Sequence, residues 1–203
     1  MSNSYKYIDP DYSYTDPNTD VLRNLAEITD PDVLLFVESG AVTKRLQQLY
    51  ENPIKIKGIK TLFDIHKHLF QDIYFWEGKK RIVEISKDGK QFFPTTRFEN
   101  AYIFIDSLIS DYKKTPKNNT SQLVYKLAEI LDSINYLHPF REGNGRTQRE
   151  FLRLLALEKN FVLNLNPPDN KSVTKDIWNS HGEIFSPTEN DIMAYSIWPL
   201  KKN

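Results

Sequence analysis

Five apolar residues, Leu123, Leu127, Ile130, Ile134 and Leu137, recur at steps of three and four. That is the period of an α-helix with one buried face. Val124 and Leu131 widen the face, so the helix belongs at the centre of the fold. It stops at His138-Pro139, because the residue before a proline is pushed out of the α region. A second helix is expected from Gly145 or Arg146 to about Lys159, carrying Phe151, Leu152, Leu154, Leu155 and Ala156. The chain therefore offers a helix, a short loop and a helix, and the loop is where its chemistry gathers.

The loop and the first turn after it read His138-Pro-Phe-Arg-Glu-Gly-Asn-Gly-Arg-Thr-Gln-Arg149. Gly143 and Gly145 let backbone N–H groups close on an anion, and a helix starting here adds its positive end. Arg146 and Arg149 stand i,i+3, one turn apart on one face, a charge ladder suited to a triphosphate. His138 is a base that is mostly neutral at pH 7. Glu142 suits Mg²⁺, which takes one or two protein carboxylates together with phosphate oxygens. The side chain of Asn144 adds a further donor. Base, metal ligand and phosphate cradle in one run point to transfer chemistry.

The same run resembles the signature of the Fic family, His-x-Phe-x-[Asp/Glu]-Gly-Asn-Gly-Arg-x-x-Arg, at every fixed position. The segment Ile65–Gly78 and the stretch Tyr14–Arg23 also resemble members of that family, so the likeness runs from Tyr14 to past Phe161. It implies an all-α fold, a Fic-type helical bundle with a small β-hairpin flap beside the active-site loop. It implies a single domain over residues 1–203 and transfer of AMP from ATP to a Ser, Thr or Tyr hydroxyl of a target protein. By this resemblance His138 is the general base and Glu142 the Mg²⁺ ligand, while Gly143, Asn144, Gly145, Arg146 and Arg149 bind the nucleotide. Phe140 would anchor the loop on the core.

Elsewhere the pattern gives further elements. Residues 1–20, rich in Tyr, Pro, Asp and Asn, read as an extended arm, mobile or packed. Asp30-Pro31 starts a helix to Tyr50 with Val33, Leu34, Val37, Ala41, Leu46 and Leu49 as its stripe. Another runs from about Ile59 to Phe70; its His66 and His68 face different sides and serve packing or the surface, not a shared metal. Arg81–Pro94 carries β-branched residues around Asp88-Gly89, a hairpin signal that sets Ile85 opposite Phe92 and Glu84 opposite Phe93. Residues alone leave this ribbon either a solvated connector or, by the resemblance, a flap whose edge takes the target as an added strand. A helix over Glu99–Tyr112 carries Ile103, Phe104, Leu108 and Ile109, and Lys113–Thr120 is a solvated polar loop. After Pro167 one or two short helices are expected, with Trp178 and Trp198 packing and His181 at the surface or capping a helix.

Composition narrows the class. Lys+Arg and Asp+Glu are both 27, so no broad nucleic-acid or membrane footprint is expected. No cysteine is present, which removes disulfides and thiolate chemistry. Neither a signal peptide nor a membrane-spanning apolar run is apparent, and a cytoplasmic protein is expected. Two rival readings keep the same site: transfer of a phosphoryl or other nucleotide-monophosphate group, or a catalytically silent nucleotide-binding module.

Many Fic proteins are held off by a glutamate within Ser/Thr-x-x-x-Glu-Gly/Asn that pairs with the last signature arginine, here Arg149. Thr95–Asn100 fits the letters but falls where the family has core structure, and Glu189-Asn190 lacks the Ser or Thr at the required spacing. The expectation is an inhibitory glutamate supplied by a separate small antitoxin-like protein.

Overall fold

Asp30 opens the first helix: its carboxylate accepts from the N–H groups of Asp32 at 2.9 Å and Val33 at 3.0 Å, and Pro31 follows at the first helical position. The computed structural model describes residues 5–9, 11–87, 89–164 and 196–199, with side chains described from residue 9 to residue 163. Helices are α1 (Pro31–Glu51), α2 (Lys60–Phe70), α3 (Phe98–Lys114), α4 (Thr120–Leu137) and α5 (Asn144–Glu158). Strands are β1 (Tyr5–Ile8), β2 (Glu84–Lys87), β3 (Lys90–Gln91), β4 (Phe161–Asn164) and β5 (Ser196–Pro199). The fold is mostly helical, as expected.

Helix α4 buries Leu123, Leu127, Ile130, Ile134 and Leu137, the stripe its spacing requires. The more enclosed helix is α5, which packs on α2, α4 and β4 and buries Phe151, Leu152, Leu154, Leu155 and Ala156 on nearly all sides. The loop between α4 and α5 is thus held from both ends by the best-packed part of the core.

Two helix faces differ from expectation. In α1 the buried line is Leu34, Glu38, Val42 and Leu49, while Val33 and Val37 are exposed. The apolar letters of α1 occupy adjoining faces, and the face turned inward is the one whose Glu38 has core partners. In α3 the line Phe98, Ile105, Ile109 and Tyr112 is buried, and Ile103 and Phe104 face solvent. The segment Lys113–Thr120 is not simply solvated. Lys113 stays helical, reaches the carbonyl of Ile56 and pairs with Glu158 at 3.4 Å, and Lys159 Nζ donates to the carbonyls of Lys113 and Thr115 at 2.7 Å.

The hairpin forms in the expected register: Ser86 is opposite Gln91, Lys87 opposite Lys90, and Phe92 N–H donates to Ile85 O at 3.0 Å. Asp88 lies outside the described residues; Gly89 takes φ +82°, the conformation such a turn requires. The ribbon is not alone. β1 pairs antiparallel with β2, Tyr5 opposite Lys87 and Ile8 opposite Glu84, so the arm is a third strand and β2 lies in the middle. Three strands overcome the marginal stability of an isolated hairpin. β4 and β5 pair antiparallel, a ribbon not read from the sequence. Trp178 and His181 lie outside the described residues, as do the side chain of Trp198 and the helices expected after Pro167. Among the described residues no helix is long and apolar enough to cross a membrane.

Candidate active site

His138 closes α4. Its N–H still donates to Ile134 O at 3.0 Å, but its backbone is left-handed, φ +43° and ψ 62°. A non-glycine residue held there is strained and must be fixed by its surroundings. The imidazole is buried and stacks on Phe92, with ring centroids 3.9 Å apart. Phe92 follows β3, so the flap forms one wall around the histidine.

Phe140 is wholly buried, its ring 3.8 Å from that of His66 and 5.0 Å from that of Phe63. It anchors the loop, as expected. Asn144 departs from expectation. Its side chain accepts from Phe140 N–H at 3.0 Å and donates to Phe140 O at 2.8 Å, closing the loop on itself. What Asn144 offers an anion is its backbone N–H. An α-helix leaves its first N–H groups without partners inside the helix, and here they belong to Asn144, Gly145 and Arg146.

Gly143 precedes α5 with φ +81°, and a Cβ on it would overlap the ring of Phe70. Only glycine meets both conditions. His66, in α2, supports the loop from beneath. Gly78 N–H donates to its Nδ1 at 2.9 Å, so Nε2 carries the proton and donates to Glu142 O at 3.0 Å. Burial pushes the His66 pKa down to about 3, partly opposed by the bond to Glu142 O. His68 is separate, its Nε2 3.1 Å from Arg45 O. Its ring thus packs against α1, while that of His66 serves the loop.

Glu142 projects toward solvent; its Oε1 accepts from Gly143 N–H at 2.9 Å and lies 3.7 Å from Arg146 Nη2. Among the described residues no cluster of three His, Asp or Glu side chains forms a protein-only metal cage. A single carboxylate beside a phosphate cradle is the donor set Mg²⁺ accepts, since the ion keeps waters and phosphate oxygens in its shell.

Arg146 is anchored from behind. Its Nη1 lies 2.5 Å from Glu38 Oε1, and its guanidinium sits 4.8 Å from the centre of the Phe70 ring. Glu38 is buried on α1 and also accepts from the Tyr74 hydroxyl. Burial first, then the charge of Glu38, raises the Tyr74 pKa, so its proton stays in place. Arg149 extends back over the start of α5, its Nη1 within van der Waals range of the space beside Gly145. Among the described residues no carboxylate lies within ion-pair distance of Arg149, and burial together with the charge of Arg146 lowers its pKa.

Residues 56–156 match the Fic/DOC family. The probable protein adenylyltransferase y4lH of Sinorhizobium fredii is 33% identical over 72% of this chain and 76% of that protein. This chain belongs to the Fic/DOC family. The protein adenylyltransferase VbhT of Bartonella schoenbuchensis is 34% identical over 84% of the chain, which spans 36% of that longer protein. The crystal structure of BepC of Bartonella tribocorum, with bound AMPPNP, shares the fold at a TM-score of 0.74 and 17% identity, covering 94% of this chain and 98% of that one. Within this Fic/DOC chain the structure brings His138, Glu142, Gly143, Asn144, Gly145, Arg146 and Arg149 together on one loop and helix start.

The supports were not read from the sequence: Glu38, Tyr74, Arg81, Phe92 and Phe70. Glu38 left one trace, a charge spaced i,i+4 from both Leu34 and Val42. A carboxylate on a buried line implies a buried partner.

Proposed function

We propose that this chain is an ATP- and Mg²⁺-dependent protein adenylyltransferase that moves AMP to a Ser, Thr or Tyr hydroxyl of a target protein. The observation that carries the reading is Arg149. It is a half-buried cation at the positive end of α5, beside a second arginine already paired with Glu38, and no described carboxylate neutralises it. Such a site calls for a polyanion. The names of VbhT and y4lH, and the AMPPNP in BepC, support a nucleotide and transfer of its adenylyl group.

In this reading the first N–H groups of α5 receive the inner phosphates, and Arg146 and Arg149 hold the outer ones. His138 accepts the proton of the attacking hydroxyl. The hydroxyl oxygen bonds to the α-phosphorus, the bond from that phosphorus to the bridging oxygen of the β-phosphate breaks, and pyrophosphate leaves. Glu142 would hold Mg²⁺, which when bound spreads the charge of the leaving phosphates. The target lies along the flap, where β3 is the outer strand and Phe92 adjoins His138. Regulation comes from a separate antitoxin-like protein whose carboxylate reaches Arg149. The chain works in a cytoplasm, where ATP and Mg²⁺ are supplied.

Replacing His138 tests the central role. His138→Ala is expected to lower transfer by on the order of 10²–10⁴, with ATP affinity nearly intact, measured by calorimetry beside a transfer assay. Transfer close to wild type in the alanine variant would remove His138 as the base.

A further inference from the structure

Arg81 precedes the flap, and its side chain is wholly buried. Burying a guanidinium is unfavourable unless its donors are all met. Nε donates to His138 O at 2.8 Å, Nη1 to Val83 O at 2.7 Å and to Glu84 Oε2 at 3.2 Å, and Nη2 to Phe93 O at 2.6 Å. The Arg81 N–H donates to Pro139 O at 2.7 Å, and the ring of Phe98 lies 5.0 Å from the guanidinium carbon. Glu84 is itself fixed, its Oε1 accepting from Thr95 N–H at 2.9 Å and Thr95 Oγ1 at 2.6 Å.

These bonds join three places. One is the strained backbone of His138 and Pro139. The others are the two feet of the flap, at Val83 before β3's partner strand and at Phe93 after β3. Phe92, next to Phe93, stacks on the His138 imidazole. A single planar fork thus fixes the histidine from both sides, through its carbonyl and through the ring against it. Lysine cannot reproduce this, because its donors radiate from one atom.

We propose that Arg81 is a positioning residue for the transfer step: it sets the His138 imidazole against the flap, so that target docking and proton acceptance share one geometry. This rests on the reading of His138 as the base. The nucleotide cradle on α5 is built from other residues, so loss of Arg81 separates the rate of transfer from nucleotide binding.

The test uses Arg81→Lys in the full chain. The chain has 4 histidines, few enough for their ring protons to be assigned by NMR. In wild type the His138 ring protons, stacked on Phe92, are expected to resonate upfield. In Arg81→Lys they are expected to move toward the random-coil position. The single-turnover rate is expected to fall on the order of 10²-fold, with ATP affinity unchanged. If Arg81→Lys does not melt cooperatively, Glu84→Gln loosens the same fork and gives the same shifts with smaller size. Unmoved His138 signals in the variant that folds, or ATP affinity lost in step with rate, would overturn the proposal. A wild type that transfers nothing would instead strike the assignment of His138 as base, while the ring signals would still decide whether Arg81 places the imidazole.

Discussion

At neutral pH His66 carries no charge, and the active-site loop depends on that. Burial holds its pKa down to about 3, against the usual 6.5 of the unfolded chain. As pH falls below the unfolded value, the unfolded chain takes up the proton first. The stability that neutral His66 contributes is therefore complete above about pH 6.5 and is lost as pH falls toward 3, at up to about 1.4 kcal/mol per pH unit. Thermal melts between about pH 7 and pH 4 should show this decline, and His66→Gln, less stable at neutral pH, should show a shallower one. Equal slopes would mean His66 does not control the acid limb. Residues of the signature could be read as one group because they stand side by side on a single loop and helix start. Glu38 and Arg81 were not, because each acts on a partner far along the chain, Arg81 on a residue 57 positions away. Asn144 was half legible: its place in the loop was right, but a short amide also satisfies the backbone of Phe140.

Among the elements, the flap shows most clearly how local and distant forces divide. Its register follows from the turn, and Ile85 meets Phe92 as the alternation requires. The third strand was half legible: the arm reads as extended, but the pairing of Tyr5–Ile8 with β2, a partner about 80 positions on, has no trace in the sequence. The rotation of α1 likewise depends on Tyr74 and Arg146, which no periodicity within α1 reveals. Gly89 gives a clean test of the flap. A Cβ there would meet nothing within 4 Å, so Gly89→Val acts chiefly through its φ of +82°. Strain of about 1–3 kcal/mol falls on the turn alone. Target modification is expected to drop while ATP affinity holds. Equal loss of both would point to general misfolding, and unchanged modification would remove the flap from target docking.

For the whole molecule, the helical bundle exists to present one loop. The pairing of a long apolar stripe with a glycine-rich helix start was legible from the sequence, and with it the fold. Less legible was that α5 is the enclosed helix; its polar first two turns, buried at Asn144, Thr147, Gln148 and Glu150, read as surface until their partners are known. In the proposed control, the contact to be made or withheld is at Arg149. Glu38, the buried glutamate of α1, pairs with Arg146 instead, and Glu99 faces solvent on α3. Glu189 lies outside the described residues. The isolated chain is therefore expected to work unaided. The direct measurement is to incubate the purified wild-type chain with Mg²⁺ and ATP labelled at the α- or the γ-phosphate, with target or lysate protein, and to count label in protein. Label from the α-phosphate alone, absent in His138→Ala, is the expected result. Label from the γ-phosphate, or none while ATP is bound, would contradict it.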